Sequence, residues 1–237
     1  MKISLNGGVI IIGSLLWDND IQRLKWRSNS LDLEIMISVK VPIRYGRVSG
    51  ERNDTFTMVF SHECVNPKLA GDAVFVPFRK NSLDFETLIN EKTEIIKSER
   101  KKINLDNDRN NWGWGSLGIL LNPKILEKES GKYEQAIFLL SKWKEKYSSG
   151  FKFSEYKVGE ELPIIDKSGV FQFNWPNGLE EYDFIIATAT KAEIEKYPDS
   201  NDIIDRIIKN ESSEYFLKNK QNGINTFQDE LISKKIK

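Results

Sequence analysis

Residues 7–19 read GGVIIIGSLLWDN, and the reading of the chain turns on this stretch. Residues 8–12, four of them β-branched, are bounded by glycines, the pattern of a short strand buried on both faces. The run stops abruptly at Gly13-Ser14. A strand end released from its ladder leaves backbone N–H groups able to meet an anionic or carbonyl oxygen. Glycine permits close approach to the main chain, and serine adds a donor and an acceptor. The same pair serves equally as a plain strand-ending turn. A phosphate-binding loop does not fit, because the glycines flank the strand instead of opening a helix behind it.

Working outward, DNDIQRLKWRS after Trp17 reads as a short helix with Asp18 or Asn19 as its cap. Strands are expected at 33–41, 55–61, 71–78 and 183–188, with the turn-rich RYGRVSGERND between the first two of these. Residues 84–100 carry Phe85, Leu88, Ile89, Ile95 and Ile96 in one apolar stripe and predict an amphipathic helix. NNWGWGSLGILLNP reads as a loop entering another strand, and YEQAIFLLSKWKEKY as a second amphipathic helix. NDIIDRIIKNESSEYFLKNKQNG predicts one or two helices stopped at Asn222-Gly223. With no internal repeat or long linker, residues 1–237 are read as a single domain, with 125–182 as an insertion or embellishment of its core. Three strands within 33–79 without intervening helices argue against a doubly wound parallel sheet. The expected class is α+β: a mixed or largely antiparallel sheet or barrel of about five to six strands with packed helices.

Composition narrows the function classes. Lys+Arg and Asp+Glu are both 35, so the net charge is zero and no bulk electrostatic argument favours nucleic acid or an anionic membrane. Cys64 is the sole cysteine, which excludes an intrachain disulfide and a cysteine-based metal cluster. No apolar run approaches the ~20 residues of a membrane span, and the N-terminus lacks the layout of a signal peptide. A cytoplasmic globular protein without a membrane partner is expected; its oligomeric state is left open.

GSLLW, residues 13–17, resembles the strand-end motif of the γ-glutamylcyclotransferase-like fold, whose members carry Tyr-Gly-Ser-(Asn or Leu)-Leu. In that family the loop holds the γ-glutamyl portion of the substrate through main-chain groups. The match falls on Gly13, Ser14, Leu15 and Leu16, and Ile12 stands where the family has Tyr. The family's second mark is a GxVxxV-like strand followed by a helix bearing the catalytic Glu. GDAVFVPFRKNSLDFETLINEKTEI, residues 71–95, is similar in order and character. The resemblance spans roughly the first half of the chain. It implies release of 5-oxoproline from a small γ-glutamyl amine or peptide, with no metal and no organic cofactor.

Four glutamates lie on the expected helix. Glu91 falls at the edge of the apolar stripe beside Ile95, and Glu86 near the helix start, where the family's acid tends to lie. Glu94 points away from the stripe, and Glu99 falls within it if the helix runs that far. Desolvation at the stripe would raise a carboxyl towards a useful acid–base range. Glu91, then Glu86, are the catalytic candidates. Arg44, Arg47 and Arg52 surround Tyr45, Gly46 and Gly50, and Arg is suited to clamp a carboxylate. Arg44 and Tyr45 therefore join Gly13, Ser14 and Leu15 as substrate-binding candidates, a solvated hairpin tip being the plain alternative. His62 and Cys64, two apart on an expected strand, would share a face. Trp112 and Trp114 either line an aromatic pocket or anchor a loop. A non-catalytic binding module on the same fold is the second functional reading. A buried acidic side chain facing Gly13-Ser14 separates the two.

Overall fold

A computed structural model describes residues 4–99, 109–147 and 151–236. The strands are β1 (Gly7–Ile11), β2 (Ile37–Val41), β3 (Ile43–Ser49), β4 (Thr55–Phe60), β5 (Gly71–Pro77), β6 (Gly115–Leu121) and β7 (Phe184–Thr190). The branched run of β1 is buried at every position and sits at the centre of a sheet ordered β2-β5-β1-β7-β6. β1 runs parallel to β7 and antiparallel to β5, and the remaining pairs are antiparallel. The sheet is mixed, and the class is α+β.

Three expectations for the strands are corrected. Residues 55–61 do not join this sheet: β4 pairs with β3 in a separate antiparallel hairpin. RYGRVS, read as a turn for its charges and glycine, is itself strand, with a register shift between Tyr45 and Arg47 that interrupts the alternation. The strand expected at 33–41 begins only at Ile37; a backbone bond from the Ile35 N–H to the Asp32 carbonyl closes a turn before it.

The helices are α1 (Ile21–Ser30), α2 (Phe85–Glu99), α3 (Tyr133–Glu145), α4 (Ser200–Lys209), α5 (Glu214–Gln221) and α6 (Asp229–Lys235). Asp20, not Asp18 or Asn19, caps α1 by accepting from the Gln22 N–H, and Asp18 accepts from the Asp20 N–H one step earlier. α2 buries Leu88, Ile95 and Ile96, as its stripe requires. Gly223 after α5 takes a positive φ of 74°, the left-handed stop that glycine allows.

Residues 169–171 lie along the outer edge of β6. The Ile119 N–H donates to the Gly169 carbonyl, and the Phe171 N–H to the Ile119 carbonyl. Phe171 packs over Gly118, where a Cβ would come within 2.4 Å of the ring. Phe171 and Phe173 in turn hold Phe60 of β4, with ring centroids 4.9 and 5.7 Å away. Each such buried ring contributes roughly 1.5–3 kcal/mol of burial, and together they tie the hairpin to the sheet. The hairpin follows β2 directly across Pro42 and reaches over the carboxyl ends of the parallel pair β1 and β7. Crevices at such ends are where open sheets hold ligands.

Candidate active site

The carboxyl end of β1 opens into a cavity of about 1070 Å³. Residues 10–15 form one wall, the hairpin tip with Arg47, Arg52 and Met58 another, and residues 97–99 at the end of α2 a third. Asp18, Asp20 and Arg23 line it beside the turn, and Trp112, Trp114, Thr188, Thr190 and Tyr215 lie across from them.

Gly13 and Ser14 turn the chain immediately after β1. The Leu16 N–H donates to the Gly13 carbonyl, and the Trp17 and Asp18 N–H groups to that of Ser14. The N–H groups of Gly13, Ser14 and Leu15 precede the first of these bonds, as at the start of any helical turn. Arg27 donates to the Leu15 carbonyl at 2.8 Å and fixes the turn from behind. Gly13 is glycine for space: a Cβ there would lie 2.7 Å from the Tyr215 hydroxyl.

Asp18 is the electrostatic hub. It accepts from Arg23 at 2.9 Å and Arg52 at 2.8 Å. Burial opposes its ionisation, but the Asp20 N–H and the two guanidiniums outweigh that cost and hold it below the usual carboxylate range. Arg23 also donates to Ser14 Oγ at 3.1 Å, to the Ser98 carbonyl at 3.1 Å and to Glu99 at 3.3 Å. A single guanidinium thus ties the turn after β1 to Glu99 of α2.

Glu99 is the buried acid of the cavity, with its side chain 9% exposed. Burial pushes its carboxyl up; Arg23, the Thr188 hydroxyl and Arg52 pull it partly back, and Asp18 adds to the rise. Thr188 Oγ1 makes no hydrogen bond of normal geometry. Its influence on Glu99 is that of a nearby hydroxyl dipole.

The two glutamates preferred from the sequence lie elsewhere. Glu91 is not a cavity residue. Burial raises its carboxyl too, but it faces Ser30 of α1, with Lys80 and Glu94 as its charged neighbours. Glu86 is exposed in the first turn of α2. The physical reason is position along the helix: the cavity meets α2 at residues 97–99, about two turns beyond Glu91. Arg44 and Tyr45 are also absent from the cavity wall. Arg44 pairs with Glu63 and lies 4.0 Å from the centre of the Tyr197 ring. Tyr45 is buried beside Asp229. Their hairpin neighbours Arg47 and Arg52 reach the cavity instead. His62 and Cys64 sit in a 3-10 turn, not a strand, and burial pushes the Cys64 thiol up to about 12, which removes a thiolate nucleophile at neutral pH.

Tyr215 and Thr188 were not singled out from the sequence. Tyr215 stands in a polar helix and Thr188 in a buried strand, and neither carries a motif. Among the described residues, no group of three or more His, Cys, Asp or Glu side chains is placed to hold a metal ion. No helix among them is long and apolar enough to cross a membrane. Comparison of the chain with protein-family models, with curated proteins and with solved structures finds no match.

Proposed function

We propose that this protein is a cytoplasmic, cofactor-independent enzyme that cyclises a γ-glutamyl compound to 5-oxoproline. One observation carries the reading: a buried carboxylate, Glu99, shares a cavity with the Gly13-Ser14 turn and is joined to it through Arg23. The cavity wall also carries both signs of charge, with Arg23, Arg47, Arg52 and Lys97 against Asp18, Asp20, Glu51 and Glu99. Such a wall suits a zwitterionic α-amino acid group.

In this mechanism the substrate's α-nitrogen attacks its own γ-carbonyl carbon. Glu99 takes the proton from that nitrogen and returns it to the departing amine as the γ-carbon–nitrogen bond breaks. A carboxyl raised by burial performs both transfers near neutral pH better than an exposed one. The main chain of residues 13–15 positions the glutamyl group and offers N–H groups to the carbonyl oxygen. The neighbouring positive charges of Arg23 and Arg52 favour the ionised form that acts as the base.

Glu99→Gln preserves shape and removes proton exchange. Release of 5-oxoproline from a panel of γ-glutamyl compounds should fall by about 10²-fold or more, while substrate binding measured by calorimetry changes little. Glu91→Gln and Glu86→Gln should retain wild-type turnover. Loss in Glu91→Gln with full activity in Glu99→Gln would refute the assignment. Silence of the wild type across the panel would favour a non-catalytic binding module.

A further inference from the structure

Two guanidiniums act on Glu99. Arg23 of α1 donates to it at 3.3 Å, and Arg52, in the 3-10 turn at the hairpin tip, adds its charge. Cations beside a carboxyl pull it towards ionisation, and a carboxylate that never protonates cannot return a proton to a leaving group. Thr188 reaches Glu99 from β7 as a neutral hydroxyl. Lys97, on the same helix and also in the cavity wall, pairs with Glu94 at 2.6 Å. Of the other acids in the wall, Asp20 caps α1 and Glu51 stands beside Arg52 in the hairpin tip. The like charge set against the cations at Glu99 is that of Asp18.

Asp18 engages both guanidiniums directly. Its Oδ2 accepts from Arg23 Nη1 at 2.9 Å and from Arg52 Nη2 at 2.8 Å, while Oδ1 accepts from the Asp20 N–H. Its carbonyl accepts from Arg27 at 2.9 Å, so the residue is anchored at both ends. Arg23 commits Nε to the Ser98 carbonyl and Nη1 to Ser14 and Asp18, which leaves Nη2 to meet Glu99 over the longer distance. Arg52 also lies 5.1 Å from the centre of the Trp17 ring, on the side of Asp18.

We infer that Asp18 is a positioning residue for Glu99: by holding Arg23 and Arg52 to itself, it keeps that carboxyl able to take up and release a proton instead of locking it into an ion pair. The role given to Glu99 rests on the cyclase reading above; the arrangement of charges stands without it. With Asp18 in place two guanidiniums meet two carboxylates, so an ionised Glu99 leaves the cluster neutral. Without that charge the same cluster keeps a positive surplus, which opposes protonation of Glu99. Burial of Glu99 and the charge of Asp18 thus act in one direction, and the two arginines in the other.

The test is an NMR titration of the Glu99 carboxyl carbon in the ligand-free protein, its signal assigned by loss in Glu99→Gln, beside the pH profile of kcat/KM for 5-oxoproline release. Asp18→Asn keeps the shape and an acceptor for the Asp20 N–H but removes the charge. Glu99 should titrate at lower pH in this variant, and the acid limb of kcat/KM should move down with it. Above that limb kcat should fall severalfold, because a more firmly paired carboxylate is the weaker base. Asp18→Glu, which restores the charge, should return the midpoint towards that of the wild type. Asp18→Ser also drops the charge and takes over the test if Asp18→Asn fails to fold. A merely structural Asp18 would lower stability and rate at every pH and leave the midpoint where it was; an unmoved or raised midpoint overturns the inference. If the wild type releases no 5-oxoproline, the cyclase reading fails and the titration decides by itself. A lowered Glu99 midpoint in the charge-free variant then upholds the hold of Asp18 on the two arginines, and an unmoved one overturns it.

Discussion

Gly13 and Tyr215 meet from positions 202 residues apart, and their contact explains why a glycine ends the run of branched residues. The Tyr215 hydroxyl accepts from the Met58 N–H at 3.2 Å, so it cannot easily withdraw from a new Cβ. Gly13→Ala should therefore destabilise the protein through overpacking, by about 1–3 kcal/mol. In a Tyr215→Phe background the nearest ring atom, 3.5 Å from that Cβ, permits ordinary contact. The cost of Gly13→Ala should then largely vanish, giving a clear coupling in a double-mutant cycle by urea unfolding. Additive effects would show that the glycine is required for something other than the hydroxyl. The motif is visible in the sequence at this scale; its partner Tyr215 is not, because no local pattern connects them.

At the scale of elements, α6 begins on a buried acid that the cavity does not use. Asp229 accepts from the Thr226 hydroxyl, and its other oxygen and the Tyr45 hydroxyl lack partners of normal geometry. Burial pushes Asp229 up to about 6 from an ordinary 3.8, against the bonds from Thr226, the nearby Tyr45 hydroxyl dipole and the charge of Lys220, which pull it down. The folded form therefore holds this proton more tightly than the unfolded chain. Between about pH 4 and 6 the unfolded state sheds it first, so this group's contribution to stability falls as pH rises, by on the order of 1–3 kcal/mol. Asp229→Asn removes the charge and supplies an amide donor towards Tyr45. Urea unfolding should find it more stable than wild type at about pH 8, with the difference shrinking towards pH 4. A constant difference across that range would exclude the titration.

For the whole molecule, the cavity depends on a hairpin that belongs to neither the sheet nor the helices packed on it. Phe171 joins them, 2% exposed between Gly118 of β6 and Phe60 of β4. Phe171→Ala should cost about 3–5 kcal/mol, the loss expected for a large buried ring, seen as a lower urea midpoint. Arg47 and Arg52 travel with the hairpin, so substrate KM should rise in the variant under conditions where it remains folded. A KM unchanged despite the lost stability would show that the hairpin is held independently.

Local pattern alone determined a buried strand at the N-terminus, read at residues 8–12 and found at Gly7–Ile11, the strand from Gly71, the amphipathic α2 and the helical C-terminal region. Each is written in neighbouring residues by periodicity, and burial then follows from the apolar face. The turn at Gly13-Ser14 was legible for the same reason. Tertiary structure decided which charged groups meet there. A helical wheel ranks Glu91 and Glu99 by distance from the apolar stripe, but it does not know which turn of α2 meets Arg23 and Thr188. Likewise, the bulge between Tyr45 and Arg47 shifts the phase of β3. Alternation read from the sequence therefore misplaces the two arginines relative to each other, and it is contact with distant elements that sets Arg47 in the cavity wall and Arg44 against Tyr197. Long-range contacts carry no local period, and the active arrangement is made of long-range contacts.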